Sequence, residues 1–198
     1  MIRNNTKAFL ISLNWVLVPC FAIAISLWPT LSTGLEQLQT DPGDTVLNVY
    51  FLEHAFRHFT SLNVLEPDQF WSPDFFWPVK NTLAWSDHLL GQTIIYGIFR
   101  PILEPFQSYV AWLSLTLWLN YISIRFAIQK ISPQTEQVWL SFISLVTTFS
   151  PAILQQLGHP QLLSLFLIGP ILVLGHRLIL EPVENFSIRD WFILGSWL

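Results

Sequence analysis

Charged residues are scarce in this chain of 198 residues: Asp, Glu, Lys and Arg make up 11% of it, against roughly 25% in an average soluble domain. The single cysteine, Cys20, excludes an intrachain disulfide. The net charge of −4 rests on few ionisable groups, which excludes a nucleic-acid binder built on a basic patch. With 52% hydrophobic residues, ten Trp and sixteen Phe, the composition predicts an integral membrane protein.

The first long apolar run predicts a membrane anchor. Residues 8–29 carry no charge, and a helix of this length extends about 33 Å, enough for the roughly 30 Å hydrocarbon core. Arg3 and Lys7 precede the run, so the positive-inside rule places the N-terminus in the cytoplasm. A signal peptide is the alternative, although the run lacks an A-x-A cleavage site and is longer than the usual apolar region.

Residues 30–105 predict an acidic, aromatic-rich extracytoplasmic loop. Its part up to residue 87 holds eight of the thirteen acidic residues of the chain and only two basic ones. A helix is predicted at 44–61, with Glu53 and Arg57 as an i,i+4 pair. Turn signals and a cluster of aromatic residues follow, a composition typical of a segment at the level of the lipid headgroups (Phe70, Trp71, Phe75, Phe76, Trp77 and Trp85).

The segment 88–105 is apolar but short, and it can span the membrane, re-enter it or lie along its surface. A non-crossing segment keeps the later basic residues in the cytoplasm, and we favour that topology. Within it, Arg100 and Glu104 predict a local ion pair.

Residues 106–198 predict further transmembrane helices, the last one truncated. The apolar run that begins at Trp191 gives eight residues where roughly 20 are needed to span. The predicted fold is therefore an all-α integral membrane protein, a polytopic transmembrane helix bundle whose first extracytoplasmic loop carries amphipathic, interfacial helices. The expected location is the cell (inner or plasma) membrane. The predicted domains are thus 1–29, with the first transmembrane helix, 30–105, the extracytoplasmic loop, and 106–198. Within the last domain, the predicted spans are 106–128, 137–154 and 161–180.

Asp44 is the first candidate for chemistry. At a membrane surface its carboxylate can act as a general base toward a hydroxyl, or can hold a divalent cation together with Asn48, one helical turn later. The alternative is structural, because Asp-Pro-Gly forms turns and Asp44 suits a helix N-cap. The two roles can coexist.

Histidines supply the remaining candidates. His54 and His58 stand one turn apart, a spacing that can bind zinc, but the Glu of an H-E-x-x-H site is absent and interfacial surface histidines are the simpler interpretation. Asp87 and His88 offer a carboxylate and a proton carrier, or alternatively a helix cap. His159, followed by Gln161, can bind an anionic phosphate, relay a proton, or simply occupy a tight turn between helices.

Three short blocks in a fixed order resemble those of bacterial GT-C-like multipass membrane proteins, and the overall arrangement resembles the GT-C superfamily of membrane glycosyltransferases. The blocks are Gly43-Asp44-Thr45-Val46-Leu47-Asn48, the run from Asn81 through Ser86-Asp87-His88 to Gly91, and Phe149-Ser150-Pro151 with Gly158-His159-Pro160-Gln161-Leu162-Leu163. The likeness covers roughly residues 41–165.

The resemblance implies transfer of a sugar from a polyprenyl phosphate or diphosphate donor to an acceptor at the outer membrane face. The catalytic role of base or metal ligand falls on Asp44, and a divalent cation is a possible cofactor. Where the family often has a second acidic residue, this chain has His159. The expected substrate-binding residues are Asn48, Asp87, His88, His159 and Gln161, and the expected partners are the lipid bilayer and the polyprenyl-linked donor.

Two other classes of function are open at this point. The first is a non-catalytic membrane scaffold or a truncated fragment, because this chain lacks the later spans in which GT-C proteins often bind donor or acceptor. A transporter or channel is expected to carry facing charges at mid-span. The predicted spans at 8–29, 106–124 and 137–154 carry none, which argues against transport.

Overall fold

The computed structural model describes residues 2–37, 42–61 and 67–190, and within them the side chains from Asn14 onward, except those of Pro42, Pro67 and Val183. Every regular element in these ranges is helical. The predicted truncated span at 191–198 lies outside the described residues. Nine α-helices occur in the described ranges: α1 (Ile2–Ser26), α2 (Trp28–Ser32), α3 (Pro42–Thr60), α4 (Pro67–Trp71), α5 (Leu90–Phe99), α6 (Pro105–Ile131), α7 (Gln137–Thr148), α8 (Pro151–Leu154) and α9 (Ile168–Leu180).

Short 3-10 helices connect several of these elements. They are Asp74–Phe76, Thr82–Trp85, Gln155–Gly158, Pro160–Leu162 and Val183–Asn185. The chain divides into two compact units. Unit 1 comprises Met1–Ser26, Thr116–Leu154 and Ser164–Leu198, and unit 2 comprises Leu27–Leu115 and Gln155–Leu163.

Within the described residues, two segments are long and apolar enough to cross a membrane, Pro105–Ile131 and Gln137–Gly158. The first coincides with the predicted span at 106–128 and the second with that at 137–154. The predicted run at 161–180 forms a helix only from Ile168, since Pro160–Leu162 is a 3-10 turn and residues 163–167 are non-helical. The first predicted span falls on α1, which ends at Ser26.

Unit 1 contains a buried arginine. Arg125, on α6, is fully buried and donates hydrogen bonds to Ser141 Oγ at 2.8 Å and to Gln137 Oε1. Its guanidinium lies 4.9 Å from the ring centre of Trp15. Arg125 lies within the predicted span at 106–128, six residues before the end of α6 at Ile131. Neutral hydrogen-bond acceptors and an aromatic face surround the guanidinium, while its Nε is buried without a hydrogen-bond partner among the described residues.

At one point α6 approaches the start of α9 closely, and a glycine stands there. The Ser123 hydroxyl donates to the carbonyl of Phe166 and accepts from the Gly169 N–H at 3.0 Å. A Cβ atom at Gly169 would overlap the backbone oxygen and the hydroxyl of Ser123. Glycine is therefore required here for backbone approach.

In unit 2, α3 packs against α5 around the carboxylate of Glu53. Arg100 donates to Glu53 through Nε at 2.7 Å and Nη2 at 3.0 Å. The Tyr96 hydroxyl donates at 2.8 Å and Arg57 Nε at 2.7 Å. The predicted Glu53–Arg57 pair is thus confirmed. The predicted Arg100–Glu104 pair gives way to Arg100–Glu53, because α5 ends at Phe99 and the i,i+4 geometry is lost.

Burial raises the pKa of Glu53, but the hydrogen bonds from Arg100, Arg57 and Tyr96 outweigh burial and leave that pKa below its ordinary value. A carboxylate whose pKa is lower in the folded state stabilises the fold above its unfolded pKa. The stabilisation is lost as the pH falls through the folded value.

Glu53→Gln is expected to lower the free energy of unfolding at pH 7 by about 1–3 kcal/mol, because two guanidinium groups lose their shared acceptor. Thermal unfolding in detergent micelles, followed by circular dichroism from pH 7 to pH 3, measures the effect. The difference from wild type should shrink below about pH 4.5, the ordinary pKa of this carboxyl. Glu136→Gln, at an exposed carboxylate, is the control. Parallel curves for wild type and Glu53→Gln at all pH values would contradict the assignment.

Gly169→Ala is expected to destabilise the protein by about 1–3 kcal/mol, since the added methyl group forces α6 and α9 apart. Gly175→Ala on the same helix is the matched control, because no described atom lies within 4 Å of a Cβ there. This control should leave stability unchanged or raise it by up to about 1 kcal/mol. Equal melting temperatures of the two variants would show that the contact does not constrain packing.

Candidate functional site

Asp44 and Asn48 lie one turn apart at the start of α3. The helix begins at Pro42, a residue favoured at the first helical position. Asp44 is therefore in the first turn of the helix and does not precede it as an N-cap. The positive end of the helix dipole lies next to its carboxylate. The Asp44 side chain is 48% exposed, so a ligand can reach it.

His159 lies opposite Asp44. It stands between the 3-10 helices Gln155–Gly158 and Pro160–Leu162, where the following proline favours extended over helical backbone. Its Nδ1 is 3.9 Å from Asp44 Oδ2, and its side chain is 52% exposed. This distance exceeds a hydrogen bond but allows charge attraction when the imidazole is protonated. The structure thus brings together a carboxylate and an imidazole that are distant in sequence.

A hydrogen bond from Asn48 holds this arrangement. Asn48 is buried, and its Nδ2 donates to the carbonyl oxygen of Gly158 at 2.9 Å. Gly158 directly precedes His159. Asn48, predicted as a substrate-binding residue, therefore contributes by positioning His159 relative to α3.

Asp87 and Gln161 form the second half of the site. Gln161 Nε2 donates to Asp87 Oδ2 at 3.0 Å. Gln161 Oε1 is buried and has no hydrogen-bond partner among the described residues. Because Gln161 follows His159 by two residues, the Asp87–Gln161 pair and the Asp44–His159 contact share the segment 159–161. We call Asp44, Asn48, Asp87, His159 and Gln161 the polar cluster, and all five belong to unit 2.

His88 flanks the polar cluster in a fixed orientation. Its Nδ1 accepts the backbone N–H of Leu90 at 3.3 Å, which places the ring proton of the neutral form on Nε2. The ring also meets the edge of Trp71, with 6.0 Å between ring centres. Leu89, which stands between His88 and Leu90 in the chain, is buried and adopts a left-handed conformation with φ 50°. A buried leucine in this conformation is strained, and no motif in the sequence predicts it.

The two histidines of α3 have packing roles. His54 Nε2 is 2.9 Å from the carbonyl oxygen of Phe70 and the rings of the two residues stack. His58 also packs against Phe70, with 5.1 Å between ring centres. Across the described parts of the chain, no group of three or more His, Cys, Asp or Glu residues is arranged to hold a metal ion.

Comparisons with protein-family models, with curated proteins and with solved structures find no match to this chain.

Proposed function

We propose that this protein is a GT-C-like, multi-pass membrane glycosyltransferase that moves a sugar from a polyprenyl-phosphate or polyprenyl-diphosphate donor to an acceptor hydroxyl at the outer membrane face. The observation that carries the proposal is the polar cluster. Its members come from three segments, around residues 44–48, 87 and 158–161, and these are the segments in which the sequence resembles the superfamily.

The chemistry assigned to the cluster follows from its residue types. The Asp44 carboxylate accepts the proton of the acceptor hydroxyl as the hydroxyl oxygen forms a bond to the anomeric carbon of the donor sugar. The bond from that carbon to the phosphate oxygen breaks, and the phosphate leaves with the electron pair. In this proposal His159, when protonated, and the amide of Gln161 donate hydrogen bonds to phosphate oxygens.

Exposed apolar surface supports a location in the membrane. On α7, side chains such as Val138 and Trp139 are exposed although apolar, as expected of a lipid-facing helix. In unit 2, Trp77 and Trp85 are 81% and 91% exposed, and tryptophan concentrates at the headgroup level of membranes. The proposed topology has the N-terminus in the cytoplasm and the loop 30–105 outside.

Asp44→Asn is expected to lower turnover at least about a hundredfold, because the amide cannot accept the hydroxyl proton. The assay measures transfer of labelled sugar from a panel of polyprenyl-phosphate monosaccharides by the full protein in proteoliposomes. Glu136→Gln, an equally conservative change at an exposed carboxylate of unit 1, should retain wild-type turnover. Unchanged turnover in Asp44→Asn would refute the catalytic role. Wild-type protein that is folded but inactive with every donor would favour the non-catalytic scaffold.

A further inference from the structure

A polar cavity lies on a part of unit 2 other than the polar cluster. One side of α3 forms a wall, and α4 with residues 72–81 forms the remainder. Its volume of about 740 Å³ falls within the range of roughly 300–1,000 Å³ typical of small-molecule sites. We call it the α3–α4 pocket.

Charges of both signs line the α3–α4 pocket. Asp68 and Asp74 are acidic, and Arg57 and Lys80 are basic, so the fixed charges cancel at neutral pH. Among the described residues, the two aspartates and the lysine form no ion pair. Arg57 binds Glu53 through Nε, which leaves its terminal nitrogens available. The pocket thus offers strong hydrogen-bond donors and acceptors. Because its charges cancel, it favours neither an anionic nor a cationic ligand.

An aromatic surface accompanies these polar groups. The rings of Tyr50 and His54, one turn apart on α3, are nearly parallel, with 17° between planes and 6.0 Å between centres. The hydrogen bond of His54 to Phe70 fixes the second ring. These packed rings form an apolar part of the pocket wall, against which the C–H groups on one face of a pyranose can pack.

A hydrogen bond closes the far wall of the pocket. The backbone N–H of Asn81 donates to Ser72 Oγ at 2.9 Å and closes the segment between these residues. Asn81 itself takes a left-handed conformation, with φ 57°, which asparagine tolerates better than most residues. A preformed wall reduces the ordering cost when a ligand binds.

We propose that the α3–α4 pocket binds a neutral saccharide. Sugar hydroxyls both donate and accept hydrogen bonds, and they can donate to Asp68 and Asp74 while accepting from Lys80 and Arg57. No ionised group of the ligand is needed to balance the pocket. The aromatic surface adds contact to the apolar face of the sugar ring.

The identification of this saccharide as the glycosyl acceptor rests on the proposed function. Tyr50 follows Asp44 by six residues on α3, a rise of about 9 Å. A chain of ring contacts also joins the pocket to the polar cluster. Phe70 meets Trp71 at 4.8 Å, and Trp71 meets His88 next to Asp87. A saccharide that extends from the pocket by one or two sugar units can therefore approach Asp44.

Saturation-transfer NMR on the full protein, in a detergent without a sugar headgroup, tests the proposal. The probes are methyl glucoside, methyl galactoside, methyl mannoside and N-acetylglucosamine, with inorganic phosphate as competitor. We expect saturable binding of at least one probe, unaffected by phosphate. The double variant Asp68→Asn with Asp74→Asn, and separately Lys80→Met, should weaken binding about tenfold or more. All three sites are exposed, so the variants should fold. Glu136→Gln is the matched control for the carboxylates.

Asp44→Asn separates the two proposals. If it abolishes transfer but retains saccharide binding, both stand. If transfer is unaffected while the pocket variants lose binding, the catalytic assignment fails and the pocket survives. No binding of any probe by folded protein, binding that phosphate displaces, or equal binding by wild type and the pocket variants would overturn the saccharide site.

Discussion

The candidate site depends on one buried hydrogen bond, from the Asn48 side-chain amide to the carbonyl oxygen of Gly158. It joins positions 110 residues apart in the sequence. Without it, a buried donor and acceptor would each lose a partner, and the segment that carries His159 would no longer be fixed against the start of α3. The Asp44–His159 contact and the Asp87–Gln161 contact both rely on that placement.

Helix α3 is the element that organises unit 2. Its first turns carry Asp44 and Asn48, its middle carries Tyr50 and His54 at the α3–α4 pocket, and Glu53 binds it to α5. A single rigid helix therefore sets the spacing between the polar cluster and the pocket. Sites supported by regular secondary structure hold their geometry better than sites built on loops alone.

Local features of this fold follow from the sequence, whereas pairings across the chain do not. The predicted helix at 44–61 appears as Pro42–Thr60, and the Glu53–Arg57 pair forms because both residues lie on that continuous helix. The partner of Arg100 was missed because it depends on where α5 ends and on tertiary packing. The three sequence blocks predict Asp44, Asp87 and His159 as site residues, but only the folded chain shows their proximity. The pocket gave no sequence signal, since its acidic and basic residues follow no motif.

The most direct test of the central claim, that the polar cluster is one site at the outer membrane face, is accessibility labelling. Asp44→Cys and His159→Cys are introduced separately into a Cys20→Ser background, which removes the only native thiol. The account predicts that a membrane-impermeant maleimide labels both positions from outside intact cells. Labelling of the two positions from opposite faces, or of either only after permeabilisation, would contradict it.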